Sequence, residues 1–153
     1  SWHGYCLQPL MAKILVIEDH PELRELFAEV LMNAGHDVIT ASDGSIGLEL
    51  YELYHPALVI TDLEMPGLPG LAVVERLSLE PGLKIIAISG SGLDNLERAR
   101  QLGAAVTLQK PFRLTQLLAA VRQLVGEQPP LVNPNATLPI HADRHVADEP
   151  LAG

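Results

Sequence analysis

Five side chains spread along the chain could share one piece of chemistry: Glu18, Asp19, Asp62, Ser89 and Lys110. Asp62 closes the run Leu58-Val59-Ile60-Thr61 and precedes the turn-forming Met65-Pro66-Gly67. A short apolar run between turn signals fits a strand buried on both faces, as in a parallel sheet. In open parallel sheets, ligands and chemistry collect outside the carboxyl ends of the strands. Four of these runs end in a useful group: Glu18-Asp19 after the first, Asp62 after the third, Ser89 after the fourth and Lys110 after the fifth. Three carboxylates on one edge repel one another, which raises pKa values and costs stability unless a cation is present. Oxygen donors without His or Cys favour a hard ion, and Mg²⁺ is the natural one. Such an ion and the Lys110 ammonium would offset the charge of an incoming phosphoryl group, and Ser89 could donate to one of its oxygens. Taken singly the residues are bland. Asp62 alone reads as a turn residue, and Glu18-Asp19 could merely favour the N-terminus of the next helix through its dipole.

The elements that must position these groups alternate regularly. Lys13 to Ile17 is the first strand. His20-Pro21 opens a helix, with Pro suited to its first turn, and Leu23, Leu26, Phe27, Val30 and Leu31 form one apolar face. Gly35 ends it. Asp37 to Thr40 is a short second strand, and Asp43-Gly44 begins a helix carrying Ile46, Leu48, Leu50 and Leu53. The third strand ends at Asp62, and Met65 to Gly70 is too rich in Pro and Gly for a regular element. A helix follows through Val73, Val74, Leu77 and Leu79, closed by Pro81-Gly82. Lys84 to Ile88 is the fourth strand, after which Ser91 and Asp94 resemble a capping box for a helix ending near Gly103. Ala105 to Gln109 is the fifth strand, and Leu114, Leu117, Leu118, Val121, Leu124 and Val125 pattern the last helix. Five strands alternating with five helices predict an α/β fold with a doubly wound five-stranded parallel sheet, flavodoxin-like in type.

Composition narrows the function classes. The 153 residues carry a formal net charge of −9, which argues against a nucleic-acid binder with its clustered basic surface. Cys6 is the single cysteine, so no intramolecular disulfide framework exists, and a reducing, cytoplasmic setting is expected. No apolar run is long enough to span a bilayer, and no signal-peptide pattern opens the chain. We expect residues 1–11 to be an N-terminal extension foreign to the domain, residues 12–126 the domain, and residues 127–153 a flexible Pro-rich C-terminal tail. His141 and His145 fall in that tail, and His20, His36 and His55 at element boundaries read as polar surface residues. The glycines after Ser89 make no phosphate-binding loop, because no Lys-Ser or Lys-Thr follows them.

The acidic pair after the first strand, Asp62-Leu63 with Met65-Pro66-Gly67, Ser89, and Lys110-Pro111-Phe112 together resemble the receiver domain of two-component response regulators. The resemblance runs from about Ala12 to Val125. It implies that Asp62 is the phosphoacceptor, taking a phosphoryl group from a histidine kinase or histidine phosphotransfer protein. It implies that Glu18, Asp19, Asp62 and the backbone carbonyl of Glu64 hold Mg²⁺. Ser89 and Lys110 would bind the phosphoryl group, and the Lys110-Pro111 peptide would be cis. The chain would then be a switch rather than an enzyme, in phosphorelay signal transduction. Output would pass through a protein surface made by the fourth helix, fifth strand and fifth helix, with Arg98, Arg100, Thr107 and Gln116 as candidates, without direct DNA binding or membrane contact. One departure stands out. Thr107 occupies the position where the family usually carries an aromatic switch residue that moves with Ser89. Two other readings compete: a degenerate receiver that binds proteins without phosphorylation, and a phosphatase of the haloacid dehalogenase type, for which Asp62-Leu63-Glu64 is a near miss.

Overall fold

The computed structural model describes residues 11–126. The segments expected to be an extension and a tail, with Cys6, His141 and His145, lie outside them except for Met11. In chain order the elements are β1 (Lys13–Ile17), α1 (Pro21–Asn33), β2 (Asp37–Ala41), α2 (Gly44–Tyr54), β3 (Leu58–Asp62), α3 (Gly70–Leu77), β4 (Lys84–Ser89), α4 (Leu93–Leu102), β5 (Val106–Gln109) and α5 (Leu114–Val125). The strands form one sheet in the order β2-β1-β3-β4-β5, with every neighbouring pair parallel. All five residues of β3 are buried, as expected for a central strand covered on both faces.

The two-residue period of the strands divides the core into two layers. Leu15, Ile17, Val59, Ile85 and Ala87 pack with Val73, Val74, Leu77, Leu96 and Ala99 from α3 and α4. Ile14, Val16, Leu58, Ile60, Ile86 and Ile88 pack on the other face with Phe27 and Leu31 of α1 and Leu117 and Val121 of α5. The rings of Phe27 and Phe112 stack at 5.9 Å between centroids, joining α1 to the segment after β5.

Several local expectations need correction. α2 buries Gly44, Gly47 and Tyr51, while Ile46 and Leu53 are exposed. A Cβ on Gly47 would lie 2.4 Å from Ile17 Cδ1, so this helix packs its backbone against β1 and leaves no room for a larger face. Leu79 lies beyond the end of α3 and is 75% exposed. α4 is preceded by Gly92 at φ 118 with no side-chain cap, so Ser91 and Asp94 do not form a capping box. His36 is half-buried, and its Nδ1 accepts the Ala12 N–H at 3.2 Å. His55, by contrast, is exposed at an element boundary as expected, with φ 44 at the C-terminus of α2 and its ring edge-on to Tyr51, 5.5 Å between centroids. α2 does begin at Asp43-Gly44, and Asp43 caps it, with Oδ1 accepting from Ile46 N–H at 2.8 Å.

Candidate functional site

The sheet order places β1 beside both β2 and β3, so the chain reverses direction across the sheet there. A crevice at the carboxyl ends of two such strands is where open α/β sheets bind ligands. Glu18 and Asp19 follow β1, and Asp62 ends β3. One carboxylate oxygen from each of the three can be chosen so that all lie within 4.8 Å of one another. Glu18 and Asp62 are buried and Asp19 is half-buried.

Backbone contacts fix each member. The Arg24 guanidinium on α1 donates to the carbonyl oxygens of Glu18 and Asp19, at 2.9 and 3.4 Å, and so holds the loop after β1. The Asp19 amide donates to Glu18 Oε2 at 3.0 Å. Asp62 Oδ1 accepts the Glu64 amide at 2.8 Å, which orients the carboxylate from the loop that follows it. That loop is pressed close. A Cβ on Gly70 would fall 2.4 Å from Leu63 Cα, so only glycine lets α3 begin beside the end of β3.

Lys110 reaches the cluster from the end of β5. Its Nζ donates to Asp62 Oδ2 at 2.7 Å and to Glu18 Oε1 at 3.2 Å. The Lys110 amide also donates to the Ser89 carbonyl at 2.8 Å, so the ends of β4 and β5 are tied at the site. The Lys110-Pro111 peptide is cis, as the resemblance implies.

Three carboxylates face one ammonium, and the imbalance shows at Glu18. Burial first, then the charge and hydrogen bond of Asp62, push the Glu18 carboxyl up to about 8, with Lys110 opposing. Burial pulls the Lys110 ammonium down, but Asp62 and Glu18 outweigh it and leave it above its ordinary value. Asp19 Oδ1 is buried with no hydrogen-bond partner among the described residues. An oxygen-only donor set with excess negative charge and an orphaned buried oxygen fits a hard divalent cation.

Ser89 is fully buried, and its hydroxyl donates to Glu64 Oε1. The Ser91 amide donates to the same oxygen at 2.7 Å. Burial raises the Glu64 carboxyl, but these serine bonds outweigh it and hold it below its ordinary value. The resemblance implies a metal-ligand role for the backbone carbonyl of Glu64 and an influence of its side chain on phosphoryl lifetime; the bonds of that side chain to Ser89 and Ser91 emerge only from the contact between the two loops. Thr107 is half-buried and its hydroxyl accepts from the Arg100 guanidinium at 2.9 Å. Gln116, expected on the output surface, spends its side-chain oxygen on the Arg113 amide at 2.8 Å and caps α5.

A parallel five-stranded sheet with an acidic crevice opposite a lysine defines the class as a doubly wound α/β domain with a candidate cation site at the carboxyl ends of its strands. The particular family follows from comparison: residues 14–122 match the response regulator receiver domain, and the chain belongs to that family. Among curated relatives, "Probable transcriptional regulator ycf27" of Cyanophora paradoxa is 36% identical over 115 residues, 74% of this chain and 48% of its own length. Sporulation initiation phosphotransferase F of Bacillus subtilis is 28% identical over 113 residues, covering 72% of this chain and 91% of that protein. A crystal structure of a response regulator receiver domain protein from Clostridium thermocellum superposes with a TM-score of 0.71 at 32% identity, over 75% of this chain and 94% of that one. The chain spans about half the length of the ycf27 relatives it matches. No helix among the described residues is long and apolar enough to cross a membrane.

Proposed function

We propose that the chain is a phosphorylation-controlled switch that accepts a phosphoryl group on Asp62 from a histidine kinase or histidine phosphotransfer protein. The observation that carries this reading is the buried Asp62 carboxylate, held by Lys110 on one oxygen and by the Glu64 amide on the other. An Asp62 oxygen attacks the phosphorus of a phosphohistidine, an O–P bond forms, and the P–N bond breaks with its electron pair returning to the imidazole. Positioning and charge supply most of the acceleration in such transfers.

Glu18, Asp19, Asp62 and the Glu64 carbonyl would hold Mg²⁺. When bound, the ion offsets the charge of the carboxylates and of the phosphoryl oxygens together. Lys110, already bonded to Asp62, stays with the oxygen that becomes part of the acyl phosphate. Ser89 supplies a hydroxyl donor to a phosphoryl oxygen once it turns from Glu64. The acceptor modifies itself rather than turning over a substrate, so we class the chain as a switch and not an enzyme. We take residues 12–126 as the switch unit and the cytoplasm, where histidine kinases present their phosphoryl groups, as its place of work.

Output runs through the surface of α4, β5 and α5, where Arg98 and Arg100 are exposed. A partner there must bind the two states with different affinity for phosphorylation to matter. The direct test is phosphotransfer: the chain is mixed with a radiolabelled phosphorylated histidine kinase, and label is followed onto wild type and Asp62→Asn. Transfer to wild type alone supports the proposal, and label on both variants overturns it.

A second reading draws on the Arg100 bond to Thr107. With a short side chain tied to α4 in place of a mobile aromatic, the α4-β5-α5 surface could serve as a binding module insensitive to Asp62. Partner binding that is unchanged by Asp62→Asn and by beryllofluoride would favour it.

A further inference from the structure

Glu64 presents a carboxylate that the acidic cluster does not use. It stands on the loop after β3, yet its Oε1 accepts from two groups of the loop after β4, the Ser89 hydroxyl and the Ser91 amide. Its Oε2 is buried with no hydrogen-bond partner among the described residues. The Glu64 amide meanwhile donates to Asp62 Oδ1 at 2.8 Å. One residue therefore touches Asp62 through its backbone and captures Ser89 through its side chain.

A serine hydroxyl has a single proton to donate. While it points at Glu64 Oε1 it is unavailable to any other acceptor. A bond to a carboxylate is roughly twice as strong as one between neutral groups, so this orientation is well held. A phosphoryl group on Asp62 offers a competing anionic acceptor for that proton. The Ser91 amide, at 2.7 Å from Oε1 and 3.2 Å from Ser89 Oγ, is held in the same knot, so one carboxylate oxygen ties both the Ser89 hydroxyl and the loop that leads into α4.

We propose that Glu64 is a positioning residue that latches Ser89, and with it the loop after β4, in the resting arrangement. Ser89 engages the phosphoryl group only when the latch opens, and the latch sets how readily the phosphorylated form is reached. This rests on Asp62 being the phosphoacceptor. A different role for Glu64 would be simple repulsion of an incoming anion by its charge. The two differ in whether the effect passes through Ser89.

The test is a double-mutant cycle read as the dissociation constant for beryllofluoride in the presence of Mg²⁺, with Glu64→Ala, Glu64→Gln, Ser89→Ala and the combination of Glu64→Ala with Ser89→Ala. The latch predicts that Glu64→Ala binds about tenfold tighter than wild type, about 1.4 kcal/mol. It predicts that the gain vanishes in the Ser89→Ala background. Glu64→Gln retains an acceptor oxygen and so gains much less than Glu64→Ala. Equal gains with and without Ser89, equal gains for Gln and Ala, or no gain at all overturn the latch. Wild type that binds no beryllofluoride and takes no phosphoryl group from acetyl phosphate overturns the phosphoacceptor reading itself, and the latch falls with it. That outcome is distinguishable from a failed cycle on a responsive wild type.

Discussion

Lys110 Nζ lies 2.7 Å from Asp62 Oδ2, joining residues 48 positions apart at the carboxyl ends of β5 and β3. The lysine side chain is 13% exposed and that of Asp62 is 4% exposed, so the pair is largely desolvated. Two charges removed from water repay the cost only through close geometry. Here the lysine serves Glu18 as well, at 3.2 Å, and so is shared between two buried acids.

Removing the lysine strands those acids. Lys110→Ala should lower stability at neutral pH by about 3 kcal/mol, the scale seen when one partner of a buried pair is deleted. Urea unfolding at pH 7 would measure it, and added Mg²⁺ should recover part of the loss. An unchanged midpoint would contradict the account.

Glu18 should impose a pH dependence on the metal-free protein. Its carboxyl sits near 8 when folded, against an ordinary value of 4.5, so the folded state holds a proton that the unfolded state releases. Stability from this group is therefore full below about 4.5 and is lost as pH rises through about 8. Denaturation midpoints in EDTA should fall across that window. Glu18→Gln should flatten the decline, and Mg²⁺ should oppose it at the alkaline end.

His36 should act on the other side. Its Nδ1 accepts the Ala12 amide, and burial holds its pKa below the ordinary 6.5. A base depressed in the folded state contributes stability above its unfolded pKa and loses it as pH falls through the folded value. Exchange protection of the Ala12 amide should drop in the same acid range where the His36 ring protons titrate by NMR.

Gly47 sets the closeness of α2 to β1. Gly47→Ala should cost about 2 kcal/mol in overpacking against Ile17, offset by about 1 kcal/mol of helix propensity. A methyl group there would stand 2.4 Å from Ile17 Cδ1 and 2.8 Å from Cγ1. Combining Gly47→Ala with Ile17→Val, which removes Cδ1, should therefore recover part of the loss in thermal unfolding.

The strand ends are legible in the sequence because a parallel sheet writes its buried strands as apolar runs and puts the next polar residue at one edge. Glu18, Asp19, Asp62 and Lys110 follow that logic, and the structure brings their side chains together. α2 departs from its pattern because Ile46 and Leu53 keep a helical period, while close packing on Ile17 selects the glycine face. Leu79 continues a pattern past the helix end, where Ser78 already caps α3. The Glu64 carboxylate and the Gln116 cap depend on contacts between loops or on backbone geometry. No local pattern of residue types encodes those contacts.

Intact-mass spectrometry of wild type and Asp62→Ala after incubation with acetyl phosphate and Mg²⁺ asks whether Asp62 is the phosphoacceptor. Wild type should gain one phosphoryl group, and the gain should be lost in Asp62→Ala and on chelation of the metal. An adduct that persists without Asp62 would contradict that assignment, as would a wild type that shows neither an adduct nor a response to beryllofluoride.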